Sequence, residues 1–228
     1  LLAMTQMSPY LMLAHQRDSR KYSRFFDLTE LTPKERRRWQ DSFLYFLKKL
    51  TIRDNKPIVL KSPPHTYRIP ILLEMFPDAK FIFIHRDPYA VYKSSIHLRK
   101  TLFAENGLGK QCLEGMEENM MDVYTKLFEA YENTKHLIPD GHLHEVRFGD
   151  LETDPLEQMR QIYEKLDLPG WANVEPAIEA EVPTLTAYKK NTYNMDEPLM
   201  RKIYARWRAV FDRFDYPSNL PESAEIET

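Results

Sequence analysis

Residues 57–100 read PIVLKSPPHTYRIPILLEMFPDAKFIFIHRDPYAVYKSSIHLRK, and the fold class follows from two short apolar runs inside them. Residues 58–60 (IVL) stop at Lys61, Ser62 and His65; residues 81–84 (FIFI) stop at His85 and Arg86. Continuous β-branched and aromatic runs without polar alternation are what a strand covered on both faces requires, so both are expected as buried parallel strands. Between them, Ile69, Leu72, Leu73 and Phe76 share one face of a helix expected over 67–76. A strand, helix, strand unit of this kind has a right-handed crossover and brings both polar strand ends to one edge, where open α/β sheets keep their ligands.

After the second run, Asp87 and Pro88 open a helix expected over 88–103, with Asp able to cap and Pro suited to the first helical position. Its first turns carry Tyr89, Lys93, Ser94 and Ser95. Arg86, a helix N-terminus and a hydroxyl two turns in can converge on one anion, and a phosphate matches the guanidinium fork. The pattern alone is equally compatible with an Arg86 that pairs with a carboxylate.

The string FIFIHRDPYAVYKSS resembles the 3′-phosphate-binding segment of sulfotransferases that use 3′-phosphoadenosine 5′-phosphosulfate (PAPS). In that family a strand-end arginine and a serine eight residues later hold the 3′-phosphate, and Arg86 and Ser94 have that spacing. The preceding LKSPPHTYRIPILLEMFPDAKFIFIHRDP is similar to the bacterial-type branch, and the likeness covers essentially the whole chain. It implies an α/β three-layer sandwich around a central parallel sheet, the P-loop NTPase-like sulfotransferase fold, with PAPS as co-substrate and no metal. RFGDLETDP resembles the family's segment in which an aromatic, here Phe148, lies near the adenine. YKKN, before the last helix, brings Lys190 and Asn191 to the nucleotide by the same resemblance.

The length of 228 residues suits one α/β domain. The expected domain is 1–217, incomplete at its N-terminus, with a Pro-, Ser- and Glu-rich disordered tail over 218–228. Lys+Arg 32 against Asp+Glu 34 leaves a net charge of −2, without the global basic field that draws proteins to nucleic acid. The single cysteine, Cys112, cannot form an internal disulfide and sits in no metal-ligand cluster, which fits a reducing, cytoplasmic setting. No apolar run approaches the roughly 20 residues that span a bilayer.

Along the rest of the chain, residues 1–14 read as a Met-rich helix and 17–24 as an exposed basic loop. Thr32, Pro33 and Glu35 announce a helix carrying Trp39, Phe43, Phe46 or Leu47, and Leu50 on one face. A long helix is expected over 113–136, beside which family members enclose the acceptor. A strand follows over 143–148, then a helix opened by Asp154, Pro155 and Glu157. Pro and Gly mark 168–183 as irregular, and an amphipathic helix closes the fold over 198–214.

Sulfuryl transfer places charge on bridging and equatorial oxygens, so it calls for cations, positioning and a base for the acceptor hydroxyl. Lys61 is expected in the electrostatic role and His65, whose side-chain type titrates near neutrality, as the base. Cytosolic relatives carry a Lys-Thr-His run here, whereas this chain has two prolines between Lys61 and His65, and other branches use an upstream glutamate as base. The acceptor is expected to be a small-molecule, lipid or carbohydrate hydroxyl or amine. Because the six glycines form no phosphate cradle, a non-catalytic nucleotide-binding or interaction module derived from the same fold is the alternative. A nucleotide kinase is disfavoured, since neither a Gly-x-x-x-x-Gly-Lys-Ser/Thr loop nor a strand-end Asp for Mg²⁺ is present.

Overall fold

The structure, a computed structural model, describes residues 7–15, 19–108, 112–186 and 195–221. Helices dominate: α1 Leu11–Ala14, α2 Ser19–Ser23, α3 Pro33–Arg53, a 3-10 turn Pro63–Arg68 running into α4 Ile69–Met75, α5 Pro88–Asn106 and α6 Met116–Thr134. After them come α7 Phe148–Thr153, α8 Pro155–Lys165, α9 Trp171–Thr186 and α10 Glu197–Phe214. Among the described residues the sheet has two strands, β1 Phe81–His85 and β2 Leu143–Arg147, paired in parallel with Phe81 opposite Leu143 and His85 opposite Arg147.

The helix starts obey local chemistry. Thr32 and Glu35 form a reciprocal capping box at α3, Asp87 accepts the Ala90 N–H at 2.8 Å, and Asp154 accepts the Glu157 N–H at 3.1 Å. Each satisfies a backbone donor that the first turn leaves unpaired, typically worth about 1 kcal/mol. Residues 168–183 depart from the expected irregular chain, since α9 runs through both Pro176 and Pro183. Strong helix formers such as Ala172, Glu175, Ala177 and Ala180 surround the prolines, and Trp171 is tied to Tyr163 of α8 by a ring contact at 5.3 Å.

The main core lies where α5, α6 and α10 meet, around Tyr92, Phe103, Met121, Phe128, Trp207 and Phe211. A second cluster packs the Trp39, Phe43 and Leu47 face of α3 against Ile71 and Leu72 of α4. On one face of the sheet Phe83 stacks on Tyr131 of α6, with centroids 3.7 Å apart. On the other face Val146 is covered by Ile162 of α8 and by Leu166, so helices flank β2 on both sides.

Two strand expectations are corrected. Residues 58–60 are not a strand; their backbone pairs with no other strand among the described residues, and Val59 is 89 % exposed. Branched side chains favour an extended backbone but cannot supply the hydrogen-bonding partner that makes a ladder. β1 therefore pairs with β2 rather than with 58–60. Nor is β1 covered on both faces, because Ile82 and Ile84 remain 43 % and 51 % exposed while Phe81, Phe83 and His85 turn inward.

Candidate active site

The parallel register that sets His85 opposite Arg147 also sets the next residues, Arg86 and Phe148, side by side at the carboxyl edge of the sheet. The Arg86 guanidinium lies over the Phe148 ring, 4.4 Å from its centroid. A cation against an aromatic face is attracted by the ring quadrupole, which steadies the guanidinium plane while its N–H edge stays available to an anion. Directly after Arg86, Asp87 caps α5, whose N-terminus adds positive potential to the same edge. Ser94 stands two turns into α5, half-buried. Lys190 and Asn191 lie outside the described residues.

His65 sits in the 3-10 turn that precedes α4, half-buried, with its backbone N–H donating to the Ser62 carbonyl at 2.9 Å. Its ring lies 5.8 Å from Phe43, and its Nδ1 is buried without a partner. Burial, and secondarily the Arg68 cation, push its pKa down from 6.5 to about 4, so the imidazole is neutral at physiological pH. Arg68 itself is buried: Nε donates to the Phe26 carbonyl at 2.9 Å, Nη2 donates to the Phe25 carbonyl, and the guanidinium lies 5.0 Å from the Trp39 ring. Burial holds its pKa down at about 10, which leaves it charged at neutral pH. Lys61 is exposed in the segment before this turn. Among the described residues no hydrogen bond, ion pair or ring contact joins Lys61 or His65 to Arg86 or Phe148.

Residues to which sequence alone assigned no role frame the edge. His85 Nδ1 and the Tyr216 hydroxyl share a hydrogen bond of 2.9 Å. The Arg147 guanidinium lies 4.7 Å from the Tyr216 ring and donates to the Phe214 carbonyl at 2.7 Å. Tyr89 donates its hydroxyl to the Ser218 carbonyl at 2.7 Å. The segment after α10 is thereby strapped across the ends of both strands. Burial, then Arg147, lowers the His85 pKa. Glu145, on β2, accepts from Tyr131 at 2.6 Å and from Arg213 at 2.8 and 2.9 Å. Burial alone would raise its pKa, but those hydrogen bonds and the Arg213 charge bring it below the usual carboxylate range. Beside β2 an open groove of about 450 Å³ is lined by His85, His144, Glu145, Arg147 and Arg213 among others, and neither Arg86 nor Phe148 lines it. Among the described residues no cluster of His, Cys, Asp and Glu could hold a metal ion.

The sequence profile of the sulfotransferase family matches residues 3–173, three-quarters of the chain and all of the Lys61, His65, Arg86, Ser94 and Phe148 positions. The chain belongs to the sulfotransferase family. Membership carries the P-loop-like α/β fold, whose parallel pairing β1 and β2 show. The chain is 32 % identical over 219 residues to omega-hydroxy-beta-dihydromenaquinone-9 sulfotransferase Stf3 of Mycobacterium bovis, and equally to Stf3 of Mycobacterium tuberculosis. Each match covers 96 % of this chain and 56 % of the relative, so the chain spans about half the length of the curated relatives it matches. No solved structure matches it.

Proposed function

We propose that the chain is the nucleotide-gripping part of an enzyme that moves a sulfuryl group from PAPS to the hydroxyl of an apolar, lipid-like acceptor. The observation that carries this reading is the parallel register that lays Arg86 on Phe148 beside the N-terminus of α5, in a chain of the sulfotransferase family. The Arg86 fork and the Ser94 hydroxyl hold the 3′-phosphate, Phe148 lies against the adenine, and Lys190 and Asn191 add nucleotide contacts. PAPS, when bound, supplies the sulfuryl group. Lys61 offsets the negative charge that develops on oxygen, and His65, already neutral, accepts the proton of the acceptor hydroxyl. An anionic donor beside His65 raises its pKa toward the working pH, which strengthens it as a base.

The lipid-like acceptor rests on the relatives, whose names specify a hydroxylated menaquinone derivative. With one cysteine the chain cannot form an internal disulfide, which accords with a cytoplasmic setting. Transfer of radiolabelled sulfate from PAPS to a panel of apolar alcohols, sugars and amines is the test. Label is expected on the apolar alcohols. Bisphosphate binding without label on any acceptor would reduce the chain to a nucleotide-binding module.

A further inference from the structure

One stretch outside the candidate site breaks the pattern of an ordinary solvated surface. α3 buries Trp39, Phe43 and Leu47 against the core, and its opposite face carries Tyr45, Lys48, Lys49 and Ile52. Ile52 is 87 % exposed and Tyr45 53 %. The chain then continues through Arg53, Lys56 and the exposed residues 58–60 to Lys61. A lone exposed aliphatic needs no explanation, but here they recur at intervals among cations.

Residues 34–61 hold nine Lys and Arg against three Asp and Glu, on a chain whose net charge is −2. Two of those carboxylates are spent within the stretch, Asp41 on Arg37 and Asp54 on Lys56, and the third, Glu35, on Arg24. Lys48, Arg53 and Lys61 have no ion pair among the described residues, and Lys49 lies over the Tyr45 ring at 4.5 Å. The result is a strongly cationic surface with apolar side chains standing out from it.

We infer that this surface docks the protein onto an anionic lipid surface, with Tyr45, Ile52 and Val59 entering the headgroup boundary and Lys48, Lys49 and Arg53 meeting lipid phosphates. Long Lys and Arg stems keep their charge at the water side while neighbouring aliphatics bury, the division of labour that an interfacial helix uses. Two other occupants fit less well. The centre of a protein interface is depleted in lysine, whereas lysines stand among these apolar residues. A nucleic acid would use the cations but leaves no role for an isoleucine and a valine held in water. Among the described residues no helix is long and apolar enough to cross a membrane. The surface ends at Lys61, four residues before His65, which brings lipid to the threshold of the candidate catalytic pair. That last consequence rests on the proposed lipid acceptor, whereas the docking surface stands on α3 and the segment after it.

Co-sedimentation with vesicles tests it. The full chain is expected to bind vesicles of phosphatidylglycerol and phosphatidylcholine in equal parts, to bind phosphatidylcholine alone far less, and to come off as salt rises. Lys48→Gln with Lys49→Gln should lower partitioning about 30-fold, from the contribution of each cation near an anionic leaflet. Ile52→Ser should lower it about 10-fold, from the apolar area it no longer buries. Both variants alter exposed positions, and unchanged circular dichroism would show that the fold is kept. Equal binding to neutral vesicles, or no change in either variant, would overturn the inference. So would self-association without lipid that Ile52→Ser abolishes, which would assign the surface to a second copy. Transfer to a water-soluble alcohol without vesicle binding would defeat this inference alone, and vesicle binding without any transfer would defeat only the proposed activity.

Discussion

His85 lies flat on Phe214, the ring centroids 4.0 Å apart and the planes 12° from parallel. The strand end is thus built into α10, and Tyr216, two residues on, closes the joint through His85 Nδ1. Tyr216→Phe removes that hydrogen bond and keeps the ring under Arg147, so it should cost about 1 kcal/mol of stability. Urea unfolding should show a lower midpoint with an unchanged slope. An unmoved midpoint would mean that the strap is held by Arg147 and Tyr89 alone.

His65 makes stability depend on pH. Its pKa is about 4 in the folded chain against 6.5 for the free side chain, so between those values the unfolded state binds more protons. The stabilisation is whole above pH 6.5, declines as pH falls, and is gone below about 4. After screening at a half-buried position it amounts to about 2 kcal/mol. His85 and His144, also depressed by burial, add to the loss with the same sign. Urea midpoints for the parent and His65→Gln should converge on acidification; parallel curves would contradict the assignment.

For catalysis, His65→Ala should slow sulfuryl transfer roughly 100-fold and leave affinity for adenosine 3′,5′-bisphosphate within about twofold. Stopped-flow or single-turnover rates with the parent's acceptor check it. A rate close to the parent's would move the base to another group.

Helix α10 is joined to α6 by two kinds of contact whose worth differs. Lys202–Glu118 and Arg206–Asp122 are exposed ion pairs, expected to contribute under about 1 kcal/mol each. Trp207 is buried, donates its indole N–H to the Met121 carbonyl at 3.2 Å and packs on Tyr124 at 4.4 Å. Trp207→Ala should therefore cost about 3–5 kcal/mol, several times the loss from Lys202→Ala with Arg206→Ala. Denaturation of the three proteins side by side decides it, and equal losses would contradict this ranking.

What could be read beforehand divides along physical lines. Caps are local, so Thr32, Asp87 and Asp154 announced their helices. The Arg86 and Ser94 spacing and the RFGDLETDP string pointed to the strand ends, and the parallel register then brought Arg86 to Phe148. Residues 58–60 misled because an apolar run specifies an extended backbone, whereas a strand also needs a neighbour. β1 misled for the related reason that apolar composition cannot say whether a helix covers both faces. Pro176 and Pro183 argue locally for irregular chain, and the helix formers around them with the Trp171–Tyr163 contact prevail. The Tyr216 strap left no signal, since its partners His85, Arg147 and Tyr89 are remote in sequence and nothing near Tyr216 marks a joint.

The measurement closest to the core of the proposal is calorimetric titration of the full chain and of Arg86→Ala with adenosine 3′,5′-bisphosphate. Losing a charge-assisted, bidentate contact to the 3′-phosphate is worth roughly 1.5 to 3 kcal/mol. Arg86→Ala should therefore bind about 10- to 100-fold more weakly than the parent, and Phe148→Leu should show a smaller loss. Affinity in Arg86→Ala equal to that of the parent would remove the 3′-phosphate from this edge of the sheet.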